Sequence, residues 1–430
     1  STPKPLHEVA GKTIVNHILD NINAIGYNET IIVINNDHIN YFQHFSDLDP
    51  SINLAIQDYP LGTGDAVKSG LAGYDLSEVN NVLVVFGDTP LLTKETLKKL
   101  HKSNEVNDLS VLGFTTDKPG RYGRLVIKNN CLQKIVEFFD ANKEEEKINL
   151  CNGGVMIVKA RSLNENLSKL TNKNIKSEFI LSDLVEIVNN SGGKSACVDC
   201  EHDETIGVDS KKGLGKAEGI YQNRLRDSFM DNGTTMLDPG TVFLSWDTKI
   251  GKDVVLGANI VIGENVIIED NVVIKSFCSL EDSIVLKGAS IGPFSRLRNG
   301  AEIGQDSKIG NFVEVKNSKL KKEVKVSHLS YIGDAEINDK ANIGAGTITC
   351  NYDGIDKHKT SIGKRAFIGS NSSLIAPITI GDDAIVAAGS AISKDVESGV
   401  LAITRSPIKF IRNWSKRFKK NNNEEKKCAE

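Results

Sequence analysis

No apolar run in this chain approaches the roughly 18 residues needed to cross a bilayer; the longest, such as Val82 to Phe86, are lengths that belong inside a folded domain. A transmembrane segment is therefore not expected. An excess of basic charge is also missing. Lys and Arg number 52 against 56 Asp and Glu, a net charge of −4, so no chain-wide positive field draws in nucleic acid or anionic lipid. The partners expected are small molecules, with no nucleic acid and no membrane among them. Paired cysteines are missing as well. The seven cysteines, at 131, 151, 197, 200, 278, 350 and 428, are an odd, scattered set that makes no disulfide framework and fits a reducing cytoplasm. Cys197 and Cys200 form one CxxC, which without a second pair does not make a zinc site. With 430 residues, 39% hydrophobic and 25% charged, the chain reads as globular, with two or more domains.

Glycine is plentiful, at 37 residues, and its regular occurrences lie after residue 250. There an aliphatic residue recurs every six positions: Ile250, Leu256, Ile262, Ile268, Ile274, Leu280 and Leu286. After a one-residue slip the series resumes at Ile291, Leu297, Ile303, Ile309 and Val315, and again at Ile362, Ile368, Leu374, Ile380, Val386 and Ile392. A six-residue period matches neither a helix nor an alternating strand. It is the mark of a left-handed parallel β-helix, in which three short strands and their turns make one triangular coil. The stretch to about Thr404 predicts on the order of eight coils. Between Thr349 and Ile362 the period breaks, and Cys350 to Thr360 must leave the coil as a polar loop, placed to reach a neighbouring subunit or cover a cleft.

The first 206 residues alternate strand and helix patterns. Ile14 to Ile25 has helical spacing, and apolar runs follow at Ile31–Ile34, Ile52–Ile56, Val82–Phe86, Leu109–Phe114 and Val155–Val158. This predicts an α/β, Rossmann-like domain with a mostly parallel sheet and ligands at the carboxyl ends of its strands. Val82 to Phe86 reads as a fully buried strand, and Gly87-Asp88 directly after it sets Asp88 where a magnesium ligand belongs, unless it merely caps the next helix. Leu61-Gly62-Thr63-Gly64 is a glycine-flanked turn that admits a base or phosphate to the backbone, or is simply a tight turn. Residues 207–229 read as a short turn and a helical connector opened by Asp209, followed by the β-helix over 230–407 and a basic tail over 408–430.

Over nearly its whole length the chain resembles the bacterial family of bifunctional N-acetylglucosamine-1-phosphate uridyltransferase/glucosamine-1-phosphate acetyltransferases. The motifs carrying the resemblance are Pro3 to His7 with Ala10-Gly11-Lys12, Leu61 to Gly64, Phe86 to Leu91, and Tyr122-Gly123-Arg124. In the second half they are Gly292 to Phe294 with Arg296 to Arg298, Gly310 to Glu314, Tyr331 to Glu336, Asn342 to Thr347 and, most specific, Thr349 to Gly354. The resemblance implies an α/β nucleotidyltransferase domain followed by a left-handed parallel β-helix of hexapeptide repeats, assembled as a homotrimer with acetyl sites between subunits. In the β-helix it implies acetyl transfer from acetyl-coenzyme A to glucosamine 1-phosphate. His328 is then the general base, a role suited to imidazole; read alone, it is a surface histidine. Arg298 and Lys316 hold the sugar phosphate, Tyr331, Asn342 and Lys357 complete the sugar site, and Ala345, Asn351, Tyr352, Ser370, Ala388 and Arg405 serve acetyl-coenzyme A.

In the first domain the resemblance implies that UTP and N-acetylglucosamine 1-phosphate are joined with release of pyrophosphate. Lys4, Gln57, Gly62, Thr63 and Phe86 then belong to the nucleotide site, Gly123, Glu137 and Asn152 to the sugar, and Asp88 and Asp209 to Mg²⁺. The family usually has Asn where Asp209 stands, and the change keeps an oxygen ligand while adding charge. The family also opens with an apolar strand and a phosphate-wrapping loop that would precede Ser1, roughly twenty residues with a central strand and a catalytic arginine. Either these belong to a longer protein or the uridyltransferase half is damaged, and weak uridyl transfer with intact acetyl transfer is expected of the chain as it stands. Two other readings stay open at this level: a sugar-nucleotide pyrophosphorylase with a regulatory β-helix, and a non-enzymatic scaffold. Replacing His328 separates the first reading from both. The basic tail reads as a site for an acidic partner or, as expected here, as a first turn with Phe410 and Trp414 that packs on the β-helix ahead of a solvated, lysine-rich remainder.

Overall fold

The computed structural model describes residues 2–416, and the chain divides into two compact units, residues 1–227 and 228–430. In the first unit a small hairpin of β1 (Glu8–Val9) and β2 (Lys12–Thr13) leads into α1 (Ile14–Asn23). The Thr13 hydroxyl caps α1 by accepting from the Asn16 N–H, as a threonine at this position should. Strands β3 (Thr30–Ile34) and β4 (Ile52–Ile56) flank α2 (Ile39–Leu48) and pair in parallel, residue for residue, as a two-stranded sheet of their own. Then come α3 (Thr63–Gly70), β5 (Asn81–Val84), α4 (Lys94–Ser103), β6 (Leu109–Thr115), β7 (Arg124–Lys128), β8 (Cys131–Val136), β9 (Leu150–Lys159), α5 (Ala160–Asn166), α6 (Leu184–Asn190) and β10 (Ser195–Asp199).

The main sheet is mixed where a mostly parallel one was expected. Only β10 and β6 pair in parallel within it, while β9 lies antiparallel to β5, β6 and β7. The reason is a turn that the α/β reading passed over. Asn129 and Asn130, with φ of 51° and 61°, join β7 to β8 as a two-residue hairpin, the conformation that Asn tolerates best after Gly. A second correction concerns the run Val82–Phe86. Val82 to Val85 are only half-buried and Phe86 is 36% exposed, because β5 pairs with β9 alone among the described residues and β3 and β4 stand in a separate sheet.

The two cysteines of the CxxC lie on opposite sides of the sheet. Cys197 packs with Val111, Met156 and Leu184, and Cys200 with Leu112, Phe114 and Ile157. Residues three apart on an extended strand point to opposite faces, so neither a disulfide nor a shared metal suits this pair. Burial, above all, pushes the two thiols up to about 11 and about 12.

The connector expected over 207–229 is helix α7, which runs from Lys211 to Asp231. In the second unit the chain winds into three parallel sheets of ten, nine and eight short strands. Val255, Val273 and Ser290 pair in succession on one sheet, and Val261, Ser279 and Arg296 on the next. These coils are thus 17 or 18 residues, against 25 for the coil that carries the polar loop and 16 for the last, and their inward residues form the core: Leu256, Ile262, Ile268, Ile274 and Leu280 are 0–2% exposed. Fully burying one such side chain contributes about 1.5–3 kcal/mol.

The slip in the repeat comes one six-residue unit earlier than expected. Val285, fully buried, takes the inward place and leaves Leu286 half-buried at the turn; the coil is shortened at Asp282, whose φ is 42°. At one corner Phe277, Phe294 and Phe312 adopt φ of 62°, 56° and 56° and stack with ring centroids 4.7 and 5.2 Å apart. At the start of the tail Ile408 and Phe410, expected to pack, are 80% and 87% exposed. Its lysine-rich remainder from residue 417 lies outside the described residues.

Candidate active sites

In the first unit the candidate residues gather around the carboxyl end of β5. Lys4, opening a single helical turn (Lys4–Leu6), and Asp209 both act electrostatically on Asp88. Burial raises the Asp88 carboxyl above the usual range; Lys4 opposes this and Asp209 adds to it. The Val208 N–H donates to the Asp88 carbonyl at 2.8 Å, holding the segment before Asp209 against the strand end. A Cβ at Gly207 would lie 3.4 Å from Asp88 Oδ2, in ordinary contact, which sets the two segments side by side. Two converging carboxylates beside one lysine are a hard oxygen donor set and fit Mg²⁺.

The turn at Leu61–Gly64 is built against a segment to which the sequence assigned no role. Gly62 has φ of 116°, and a Cβ there would fall 2.5 Å from the Phe179 carbonyl oxygen, so only glycine fits. Phe179 N–H donates to the Leu61 carbonyl, Leu181 N–H to Thr63 Oγ1, and Gln57 Nε2 to both the Gly62 carbonyl and Asp65. Gln57, Gly62 and Thr63 are thereby brought together. A second cluster joins Gly123, Glu137 and Asn152: the Asn152 N–H donates to the Gly123 carbonyl, and a Cβ at Gly123 would lie 3.4 Å from Glu137 Oε1. Phe86 lays its ring against Gly154, whose N–H donates to Asn152 Oδ1.

Ser182 and Asp183 join this cluster unannounced. Ser182 Oγ donates to Glu137 Oε1 at 2.8 Å. The Asp183 carboxyl is pushed up to about 6, first by burial and then by Glu137, Asp140 and Glu186. Ser-Asp before an apolar helix reads as a cap, which is why the sequence alone passed over them. A carboxyl raised above its unfolded value of 3.8 favours the protonated fold, so the burden is absent below that value and complete above about pH 6. Asp183→Asn is therefore expected to raise the thermal midpoint at pH 7.5, by the equivalent of about 1 kcal/mol after allowing for solvent screening. The gain should vanish near pH 4; a gain independent of pH would show that the carboxyl is not strained.

In the second unit the candidates separate onto two corners of the prism. At one, Arg298 pairs in register with Lys316 and Lys316 with Gly333, so the two cations stack on adjacent coils. Lys357 arrives from the polar loop, which an isolated bridge between Tyr352 and Lys357 folds back on itself. The Lys316 ammonium is held below the ordinary lysine range, by Lys357 first, with burial and Arg298 adding. Glu314 accepts from Arg298 Nε at 2.6 Å, and Asp334 accepts from Asn351 and Asn317. Asp334 thus ties the root of the loop to the coil. The Tyr331 ring lies against Gly333, where a Cβ would collide with its hydroxyl. Three cations crowded onto one corner are relieved by a bound dianion.

The other corner carries a column built one residue per coil: Asn311, His328, Ala345, Ser370 and Ala388. Backbone bonds Leu329 N–H to Asn311 O, Gly346 N–H to His328 O, Asn371 N–H to Ala345 O and Gly389 N–H to Ser370 O link each step to the next. His328, exposed, sets Nδ1 2.5 Å from Asn311 Oδ1. Asn342 lies on the strand leading to Ala345 and pairs with Lys325. Arg405 follows Thr404, which docks on Ser390 and Ala391 beside Ala388. Asn351 and Tyr352, assigned with Ala345 to acetyl-coenzyme A, stand at the cation corner.

The MobA-like NTP transferase domain family matches residues 1–149, the GMPPB C-terminal domain residues 239–345 and the hexapeptide repeat of succinyl-transferase residues 359–394. Among curated relatives, the bifunctional protein GlmU of Parvibaculum lavamentivorans is 47% identical over 428 residues, 99% of this chain and 94% of its own. Those of Rhodospirillum rubrum and Paramagnetospirillum magneticum are 45% and 42% identical, each over 97% of this chain and 93% of the relative. On this similarity, which runs through both units, the chain belongs to the family of GlmU bifunctional proteins.

Proposed function

We infer that the chain is a bifunctional transferase of UDP-N-acetylglucosamine synthesis. Its hexapeptide half is a glucosamine-1-phosphate acetyltransferase, and its nucleotidyltransferase half an N-acetylglucosamine-1-phosphate uridyltransferase. The observation that carries the reading is a prism with a crowded cation corner and, at another corner, a histidine heading a column of small residues. In acetyl transfer, Arg298, Lys316 and Lys357 hold the sugar phosphate and Tyr331 flanks it. His328 takes the proton from the sugar nitrogen, which attacks the thioester carbonyl of acetyl-coenzyme A; the carbon–sulfur bond breaks and the thiol leaves protonated. Ala345, Ser370 and Ala388 are small enough to let the coenzyme lie against backbone, with Arg405 beside the last of them. Asn351 and Tyr352 anchor the loop that delivers Lys357.

His328 and the stack of Arg298 on Lys316 belong to opposite ends of one prism face, five residues of chain apart between His328 and Gly333. This supports sites shared between copies of the chain, and a homotrimer is the assembly we propose. In uridyl transfer a phosphate oxygen of N-acetylglucosamine 1-phosphate attacks the α-phosphorus of UTP and pyrophosphate leaves. Lys4 offsets phosphate charge, Gln57, Gly62, Thr63 and Phe86 border the nucleotide, and Gly123, Glu137 and Asn152 hold the sugar. Asp88 and Asp209 would hold Mg²⁺, which when bound offsets the charge of the triphosphate. No described helix is long and apolar enough to cross a membrane, and the six described cysteines are free; a cytoplasmic setting suits both.

The test follows thiol release from acetyl-coenzyme A with glucosamine 1-phosphate, and pyrophosphate release from UTP with N-acetylglucosamine 1-phosphate, on one preparation. Lys357→Met is expected to raise KM for glucosamine 1-phosphate about 10-fold or more, the loss of one charge-assisted contact, and to leave pyrophosphate release unchanged. An unchanged KM would remove the cation corner from the phosphate site.

A further inference from the structure

We propose that Asn311 is a positioning residue that decides which nitrogen of His328 acts as the base. The inference rests on the acetyltransferase reading above and extends it to a side chain without an assigned role. Asn311 and His328 are partners in register on successive coils, ending Lys308–Asn311 and Lys325–His328. Their backbones are joined by Leu329 N–H donating to the Asn311 carbonyl at 3.0 Å. The histidine's own carbonyl accepts from Ser330 Oγ at 2.8 Å and from the Gly346 N–H, so the residue is held from the coils on either side. With both backbones set, the side chains meet at 2.5 Å between Nδ1 and Asn311 Oδ1.

An amide oxygen only accepts. Nδ1 must therefore carry the proton, and the lone pair stands on Nε2, the far side of the ring. The partner is also neutral. A carboxylate in this place would favour the imidazolium and leave less of the ring free to take a proton on the acid side of the profile, whereas an amide orients the ring without adding a charge. The charged and titratable groups on the adjoining strands are Lys308 and Lys325 on the same sheet and Glu314, Lys316 and Tyr331 on the next. None of them takes the Nδ1 position that Asn311 holds.

Three variants of the full chain test this, each assayed for thiol release over pH 5.5–9 and labelled with ¹⁵N-histidine for NMR. Asn311→Leu is expected to lower kcat about 10–100-fold, the usual cost of removing a partner that orients a functional imidazole. KM for glucosamine 1-phosphate should stay within about 2-fold, and the NMR signal assigned by its loss in His328→Ala should move toward the Nε2–H tautomer. Asn311→Asp keeps the acceptor, so turnover should largely recover while the acid-side midpoint of the profile moves up by about one pH unit. If Asn311→Leu fails to fold, the Asp profile decides alone: an unmoved midpoint overturns the proposal. Wild-type turnover or an unchanged tautomer in Asn311→Leu also overturns it. If His328→Ala itself keeps full thiol release, the acetyltransferase reading of this histidine is what fails.

Discussion

Thiol release from acetyl-coenzyme A falls by about 10²–10⁴-fold in His328→Ala, the range expected when a general base is lost, and the fold does not notice. His328 is exposed at a corner of the prism, its ring touching Asn311 and its carbonyl held through backbone and the Ser330 hydroxyl. The alanine variant keeps those carbonyl contacts and empties no core, so its thermal midpoint should lie within a degree or two of wild type, as for surface changes generally. The loss should sit in kcat, because in the proposed mechanism the phosphate is held by Arg298, Lys316 and Lys357 at the other corner. Raising pH should restore part of the rate, since a larger fraction of the sugar nitrogen then arrives deprotonated. Full activity in the variant would leave the prism a regulatory or scaffolding element.

The second large effect is on stability. A Cβ at Gly310 would collide with the Ser327 carbonyl of the next coil, and both belong to the ladder that sets Asn311 under His328. No flexible side-chain end is there to give way, so the coils must part. Gly310→Ala is expected to cost about 2–4 kcal/mol, as for overpacking against fixed atoms. Stacked repeats take their stability from neighbouring coils, and the damage should also lower acetyl transfer by disturbing the histidine. Gly389 is the control. Its φ is 72° with nothing within 4 Å of a built Cβ, so alanine there pays only for the left-handed backbone, about 1 kcal/mol. Denaturant midpoints of the two variants decide the matter; equal costs would mean that coil contact at Gly310 is not the controlling term.

Much of the fold was legible because its signals are local. The six-residue period marks where a side chain turns inward, and the structure buries Leu256, Ile262, Ile268 and their successors accordingly. The glycine turn at Leu61–Gly64 was legible as a turn. Its counterpart was not: Phe179 and Leu181 lie more than a hundred residues away, and only the fold sets them against it. The hairpin at Asn129-Asn130 was present in the sequence as a plain turn signal, but reading the region as alternating strand and helix concealed it. Val82–Phe86 misled for another reason. Apolarity records what a strand can bury, and exposure depends on which strands flank it.

The sequence by itself determined that this chain folds as a nucleotidyltransferase domain followed by a coiled prism, and that it carries Asp88, the glycine turns, His328 and the polar loop. Inward aliphatics and turn glycines act through their own backbone and immediate neighbours, and such effects can be read residue by residue. Tertiary structure alone decided which corner each polar residue occupies. That depends on coil lengths of 17 or 18 residues, on the slip at Asp282 and on the loop after Thr349, each of which the period tolerates without a change in its core. Ladder bonds between coils then bring Asn311 under His328 and Arg298 beside Lys316, and only there do separate residues become a histidine–amide pair and a cluster of cations.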